Sequence, residues 1–113
     1  MSRVEKVESL LKKSIAEIIS RKVGDYRLGF VSITRVKVSK DLRTATVYYS
    51  QLGSAEEREK TYRGLVSASK YIQSQLHSKI RLRVLPILSF KFDDSIEKGS
   101  QVVNKINQLR KNL

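Results

Sequence analysis

The chain has 113 residues, of which 23 are Lys or Arg and 11 are Asp or Glu, and its formal net charge is +12 at pH 7. This length allows one domain with a modest core, and the excess of cations predicts an anionic partner: nucleic acid, an acidic protein or a membrane surface. Membrane is the weakest of these, because no apolar run approaches the ~20 residues that cross a bilayer. The absence of cysteine excludes disulfides, thiolate metal sites and cysteine nucleophiles. We expect a single cytoplasmic domain over residues 1–113, with residues 110–113 frayed.

The first predicted element is an amphipathic helix over residues 3–22, whose apolar residues fall on one stripe. Because this segment starts at once, we expect no signal peptide. Gly24 is suited to a left-handed cap at the end of this helix.

Two strands follow, over residues 30–39 and 44–50. The apolar alternation of the first changes phase near Thr34 and Arg35, which predicts a β-bulge there. The short loop around Asp41 between the strands predicts an antiparallel hairpin.

The second half of the chain begins with Ser54 and Glu57, a capping box that predicts a long helix to about residue 78. From Leu82 the apolar residues alternate again, and this predicts a third strand that ends at Phe92, with Pro86 at an edge or break. A last helix is predicted over residues 96–110. This order predicts an α+β fold, a three-stranded sheet with helices on one face, and we expect the third strand beside the first.

A cationic stretch is the main functional signal. Residues 60–92 contain seven Lys or Arg residues and no Asp or Glu. The alternative is a solvated face whose acidic partners lie elsewhere in the chain. We favour nucleic acid because the whole chain is basic. Tyr26, Tyr48 and Tyr71 are candidate stacking residues, but recognition of the backbone and shape by Lys and Arg fits better than base readout.

Catalytic groups are scarce in this sequence. His77 is the one histidine, so no pair of histidines can hold a metal, and we expect it to be a surface residue. Asp93 and Asp94 could bind Mg²⁺ but are better explained as helix caps. The glycines form neither a P-loop nor a dinucleotide fingerprint. We therefore expect a protein that is not an enzyme and that carries no metal or cofactor.

Three segments carry a resemblance to a known family. They are the opening SRVEKVESLLKKSIAEII, the hairpin VSITRVKVSKDLRTATVYYS and the run LVSASKYIQSQLHSKIRLRVLPILSFKFDDS. Over nearly its whole length the chain resembles the ribosome-binding factor A family. The resemblance implies a KH-like fold of the second type that lacks the usual Gly-x-x-Gly loop. It also implies a bend in the long helix at an Ala-x-Gly step.

That step corresponds here to Ala68, Ser69 and Lys70, so Lys70 departs from the family's Gly. A positive φ costs more conformational energy for lysine than for Gly, but Lys70 adds a cation that suits RNA contact.

The resemblance further implies a monomer that binds the free small (30S) ribosomal subunit and its 16S rRNA. Such a factor assists late maturation, including 5′-end processing of the precursor, and supports growth in the cold. An assembly GTPase is left open as a second partner. We expect RNA contacts from the acid-free stretch, with outlying phosphate contacts from Arg3, Lys40 and Arg43. The candidates within the stretch are Lys70, Lys79, Arg81 and Arg83.

Other classes stay open at this point. A general nucleic-acid-binding protein, of the nucleoid or RNA-chaperone type, would use the same charge without ribosome specificity. An RNA-processing enzyme would need a metal or a base that this chain does not supply in an evident cluster. A protein adaptor that uses the hairpin is the least favoured, because of the charge.

Overall fold

Two helices and three strands make up the part of the chain that the computed structural model describes, residues 2–21 and 31–95. The elements, in chain order, are α1 (Arg3–Arg21), β1 (Val31–Val38), β2 (Thr44–Gln51), α2 (Ala55–Lys79) and β3 (Ile87–Phe92). The predicted α+β class and these five elements are confirmed, with boundaries that differ by a few residues except at the start of β3. The predicted helix end at Gly24, the last helix and the fraying at residues 110–113 lie outside the described residues.

The β1–β2 hairpin is antiparallel, and its register shifts between Ile33 and Arg35. The predicted bulge is therefore confirmed. It places an extra residue, Thr34, between two inward-facing positions, so that Ile33 pairs with Tyr49 and Val36 with Val47 on the same face of the sheet. The phase change in the sequence is the signature of this insertion.

The strand order is β1-β2-β3, and β3 pairs with β2 in parallel. The expectation that the third strand lies beside the first was wrong. A parallel pair needs a long crossover, and α2 provides it by carrying the chain from the end of β2 back to the start. The hydrophobic pattern does not show whether β3 pairs with β1 or with β2, because β3 would bury the same face at either edge of the hairpin.

One core joins the helices to one face of the sheet, as predicted. α1 packs on β1, α2 packs on β3, and the two helices touch each other. The sheet contributes its inward residues, and both helices contribute their apolar stripes. The buried apolar residues are Val7, Leu11, Ile15, Ile18, Ile19, Val36, Val38, Ala45, Val47, Tyr49, Leu65, Ala68, Ile72, Leu76, Ile80, Leu85, Leu88 and Phe90.

The buried stripe of α2 is rotated relative to the one that its large apolar residues suggest. The three- and four-residue spacing of apolar residues along this helix predicts a buried face that includes Tyr62 and Val66, yet they are 42% and 49% exposed. The small residues Gly64 and Ala68 are buried instead. Because they lack bulk, they let the helix backbone come close to the core, and this leaves the larger side chains at the flank.

The predicted bend falls inside an uninterrupted helix, since α2 continues through Ala68, Ser69 and Lys70. Positive φ occurs among the described residues only at Leu42 and Gly53, so Lys70 keeps a negative φ. The Ser69 hydroxyl donates to the Val66 carbonyl at 2.8 Å, a kind of contact that often bends helices. The bend angle itself stays a prediction.

Candidate nucleic-acid interface

Residues 80–86, which we call the connector, lie where the sequence predicted the start of the third strand. Leu82 and Val84 were placed in that strand, and the structure corrects this: β3 begins at Ile87. α2 has 25 residues and is about 38 Å long, whereas the eight residues of β2 span about 27 Å. The helix therefore overshoots the sheet, and the connector must fold back to reach β3.

Two hydrogen bonds hold the connector in place. Gln73 of α2 donates its side-chain amide to the Pro86 carbonyl at 2.7 Å. The amide of Ile87 donates to the Arg43 carbonyl at 2.8 Å. The connector is thus fixed between α2 and the start of β2, and its basic residues lie beside the hairpin.

The hairpin loop, residues 39–43, is tied by a carboxylate. Asp41 accepts the Ser39 hydroxyl at 2.6 Å and the Arg43 amide at 3.1 Å. The Ser39 hydroxyl, followed by the Arg43 amide, lowers the pKa of Asp41 below its usual value. Leu42 has φ of +61°, and its side chain packs against the core. These contacts hold the loop in one shape and so position Lys40 and Arg43.

Helix α1 is attached to the same end of the hairpin. The carboxylate of Glu8 accepts the Val38 amide at 2.8 Å. The Ser2 hydroxyl accepts the Glu5 amide at 3.1 Å and caps the helix. Arg3, in the first turn of α1, therefore comes to the hairpin loop, together with the positive end of the helix dipole.

The connector, the hairpin loop and the start of α1 enclose an open hollow of about 370 Å³, which we call the basic cleft. It brings together three of the seven predicted RNA-binding residues, Arg3, Lys40 and Arg83. The described lining has one carboxylate, Asp41, which is already hydrogen-bonded within its loop. The full described lining is Arg3, Val7, Lys40, Asp41, Leu42, Leu82, Arg83, Val84 and Pro86.

The other predicted residues are distributed around the connector. Arg43 and Arg81 are exposed, and each is close in sequence to the cleft. Lys70 lines a separate hollow on the α2 side of the connector, which it shares with Gln73 and His77. His77 is exposed, as the sequence predicted.

Lys79 differs from the others because its charge is partly neutralised. Its ammonium lies 3.6 Å from the carboxylate of Glu17 on α1. Arg63 likewise pairs with Glu59, at 3.1 Å. Residues 60–92 contain no acid, but acids outside this stretch lie next to two of its cations. For Lys79 and Arg63, the alternative of a solvated face with acidic partners elsewhere in the chain is therefore correct.

A second cationic surface contains none of the seven predicted RNA-binding residues. Arg35 lies over the ring of Tyr48, with 4.1 Å from the guanidinium carbon to the ring centroid. Lys37 and Lys91 are exposed on the same side of the sheet. Strand alternation carried the signal, because Arg35 and Lys37 flank the core residue Val36 and must point away from it. Tyr26 lies outside the described residues.

Within residues 2–21 and 31–95, no three His, Asp or Glu side chains come together where they could hold a metal ion. No helix in these ranges is long and apolar enough to span a bilayer.

The chain is similar to proteins of one known family. The family model of ribosome-binding factor A matches residues 3–106. The crystal structure of ribosome-binding factor A from Thermus thermophilus shares 29% identity, with a TM-score of 0.70, and the match covers 80% of this chain and 96% of that one. A solution structure from Thermotoga maritima, of a protein assigned to ribosome binding factor A, shares 37% identity with a TM-score of 0.70. That match covers 82% of this chain and 89% of the other.

A further match is a homology model of the Thermus thermophilus factor, as fitted into a cryo-electron-microscopy map of a complex of the 30S subunit with that factor. It shares 29% identity, with a TM-score of 0.66, and the match covers 79% of this chain and 93% of that one. These similarities extend over most of each chain.

Proposed function

Because the chain belongs to the ribosome-binding factor A family, we propose that it binds the free small (30S) ribosomal subunit through its 16S rRNA. We propose further that it assists late maturation of the subunit, including 5′-end processing of the precursor rRNA. The observation that carries this proposal is the basic cleft, where Arg3, Lys40 and Arg83 converge from three separate parts of the chain.

The cleft suits the sugar–phosphate backbone of RNA. Two guanidinium groups and one ammonium can each bind phosphate oxygens, and Arg does so with two parallel hydrogen bonds. Asp41 offsets part of this positive charge, but its carboxylate is held inside the hairpin loop by hydrogen bonds from the Ser39 hydroxyl and the Arg43 amide. Contacts of this kind fix the register of the protein on RNA without reading its sequence.

The residues around the cleft extend the cationic surface in two directions. Arg43 and Arg81 reach the solvent beside the hairpin loop and the connector. Lys70, across the connector, adds a cation on α2. Lys79 contributes least, because Glu17 offsets its charge. Binding through several phosphates predicts an affinity that falls steeply with salt.

The Thermus thermophilus relative supports the choice of target, since a homology model of that factor has been fitted into the map of its complex with the 30S subunit. A nucleoid-type or RNA-chaperone role remains the second candidate, because the cationic surface by itself would also bind duplex DNA. The two differ in selectivity, and a binding experiment separates them.

The test is co-sedimentation of the purified protein with free small subunits, large subunits and assembled ribosomes at about 50 and about 200 mM salt. We expect binding to free small subunits that weakens at the higher salt. Lys40→Glu combined with Arg83→Glu should abolish it, whereas Lys12→Glu combined with Lys13→Glu, an equal charge change on exposed positions of α1, should retain it. Equal binding to all particles and to duplex DNA would favour the general nucleic-acid-binding role instead.

The maturation step needs its own measurement. In cells whose own family member has been deleted, the wild-type protein should lower the ratio of precursor to mature 5′ ends of 16S rRNA, and the cleft double variant should not. Purified protein incubated with precursor rRNA should leave it uncut if the factor assists processing without catalysing it. An unchanged ratio in the complemented cells would remove maturation from the proposal and leave binding.

A further inference from the structure

The sheet has a second face, opposite the helices, which we call the outer face. Its residues are the alternate strand positions whose neighbours fill the core. Of the described residues at these positions on the three strands, none is acidic. They are Ser32, Arg35, Lys37, Thr44, Thr46, Tyr48, Ser50, Ile87, Ser89 and Lys91.

The register aligns the cations of this face in two rows. Tyr48 of β2 pairs with Arg35 on one side and with Lys91 on the other. Neighbouring strands are about 4.8 Å apart, so the backbones of Arg35 and Lys91 are about 10 Å apart with Tyr48 between them. The next row has Lys37 beside Thr46 and Ser89. Three cations therefore surround one aromatic ring and a line of hydroxyls.

The central contact is ordered before any partner arrives. The Arg35 guanidinium carbon is 4.1 Å from the Tyr48 ring centroid, a cation–π contact. A side chain that is already held in place loses less conformational entropy when it binds. Asp93, at the end of β3, is an acidic group close enough to Arg35 to interact with its charge, and its carboxylate also accepts the Thr34 hydroxyl and the Ser95 amide. Asp93 offsets part of the Arg35 charge, while the described positions of the outer face keep three cations and no acidic residue.

We propose that the outer face binds single-stranded RNA, through phosphate contacts from Arg35, Lys37 and Lys91 and base stacking at the Arg35–Tyr48 pair. An acidic protein segment would use the cations but not the aromatic ring. Unpaired bases use both, because they stack on aromatic rings and on guanidinium planes. Ile87, which is 72% exposed on the same face, supplies further apolar contact for a base.

The outer face and the basic cleft meet at the end of the hairpin. Lys37 lies on β1 just before the hairpin loop that presents Lys40 to the cleft, and Thr44 pairs with Ile87 on the outer side of that end. One protein would then contact two RNA segments, one on each side of the hairpin. This second contact holds whether or not the ribosome is the target of the cleft, so it can fail or succeed independently.

The experiment uses the full chain and a labelled oligo-uridine of about 12 nucleotides, a length within the usual site sizes for single strands. Fluorescence anisotropy at low salt compares the wild type with Lys37→Glu combined with Lys91→Glu. We expect the Kd to rise by about tenfold or more in this outer-face variant, and by about threefold or less in the charge-matched α1 variant Lys12→Glu/Lys13→Glu. Tyr48→Leu, which keeps an apolar side chain in the sheet, should raise the Kd by about fivefold through lost stacking.

Two further measurements make the outcome decisive. Circular dichroism at the assay temperature establishes that each variant is folded, and amide shifts in the nuclear magnetic resonance spectrum locate the oligonucleotide on the wild type. Shifts centred on Tyr48, Ser89 and Lys91 support the proposal even if a variant proves unstable. Shifts confined to the hairpin loop and connector would overturn it, as would equal losses in the outer-face and α1 variants. If polyglutamate competes as well as RNA and Tyr48→Leu binds normally, the face serves an acidic protein and the RNA proposal is wrong.

Discussion

The Thr34 hydroxyl donates a 2.6 Å hydrogen bond to the carboxylate of Asp93, although β2 lies between their two strands. Thr34 is the extra residue of the bulge, so its side chain is released from the pairing with β2. Asp93 follows β3 directly, and its amide donates to the Tyr49 carbonyl at 2.7 Å. The same carboxylate accepts the Ser95 amide at 3.0 Å. The two outer strands are thereby joined at one end of the sheet.

This arrangement predicts an acid-dependent loss of stability. The Thr34 hydroxyl, followed by the Ser95 hydroxyl and amide, lowers the pKa of Asp93 to about 2. A carboxyl group with a lowered pKa stabilises the fold fully above its unfolded value of about 3.9, and this contribution is lost as the pH falls through that value toward about 2. Thr34→Val should lower the urea midpoint at neutral pH, and the difference from wild type should shrink as the solution is acidified.

Urea titrations of both proteins over this pH range provide the measurement. Asp93→Asn serves as the control, because it removes the titrating group and should flatten the same part of the pH profile. A Thr34→Val deficit that stays constant down to pH about 2 would show that the loss comes from packing rather than from the charged hydrogen bond.

The start of α2 offers a second prediction. Ser54 and Glu57 form the capping box, and Gly53 before them has φ of +158°, where an added Cβ would come 2.7 Å from a carboxylate oxygen of Glu57. Ser54→Ala should cost about 1 kcal/mol. Gly53→Ala should also destabilise the protein, because it strains the backbone and displaces Glu57 from the Ser54 amide. Thermal and urea unfolding would report both, with Ser78→Ala near the exposed end of the helix as a control of about zero effect.

A third prediction separates cations that look alike in the sequence. Arg83 lines the basic cleft, whereas Lys79 is paired with Glu17. Arg83→Met should lower the affinity for small subunits and reduce the salt slope by about one unit, as expected for one phosphate contact. Lys79→Met should change both less. Binding at several salt concentrations tests this, and a larger effect at Lys79 would mean that the ion pair opens in the complex.

The predicted bend in α2 gives the fourth prediction. Lys70→Gly introduces the residue that the family resemblance implies at this step and should lower stability by about 1 kcal/mol, because glycine is unfavourable inside a helix. Lys70→Ala removes the charge without that cost. If the Lys70 charge contacts RNA, both variants should bind small subunits more weakly. If Lys70→Gly binds better than Lys70→Ala, local flexibility at this step matters for binding.

Sequence patterns predicted the local features well, and each success has a local cause. The bulge at Thr34, the capping box at Ser54 and Glu57 and the antiparallel hairpin depend on residues close together in the chain. The limits of β3 were predicted less well, because Leu82 and Val84 alternate like a strand but belong to the connector. Leu82 is half-buried against the core and Val84 is exposed, so the alternation at these two positions reports neither strand pairing nor a shared buried face.

For the binding residues, too, the sequence predicted local features and missed contacts between distant segments. Composition and the acid-free run indicated a basic surface, but they could not show that Arg3, Lys40 and Arg83 share a cleft. They also could not show that Glu17 offsets the charge of Lys79. Ion pairs and clefts form between residues far apart in the chain, and their existence depends on which elements become neighbours.

The sequence by itself determined the elements and, apart from the rotated stripe of α2, the face that each one buries, because a period of about 3.6 or 2 residues reports which side is apolar. It also predicted an anionic partner, from the net charge of +12. Only the tertiary structure decided that β3 joins β2 and that the connector folds back onto the hairpin loop. It alone set the Thr34–Asp93 bond across the sheet and the row formed by Arg35, Tyr48 and Lys91. These features depend on where segments that are distant in sequence come together. Helix length, crossover geometry and strand register control this, and a local sequence pattern does not report them.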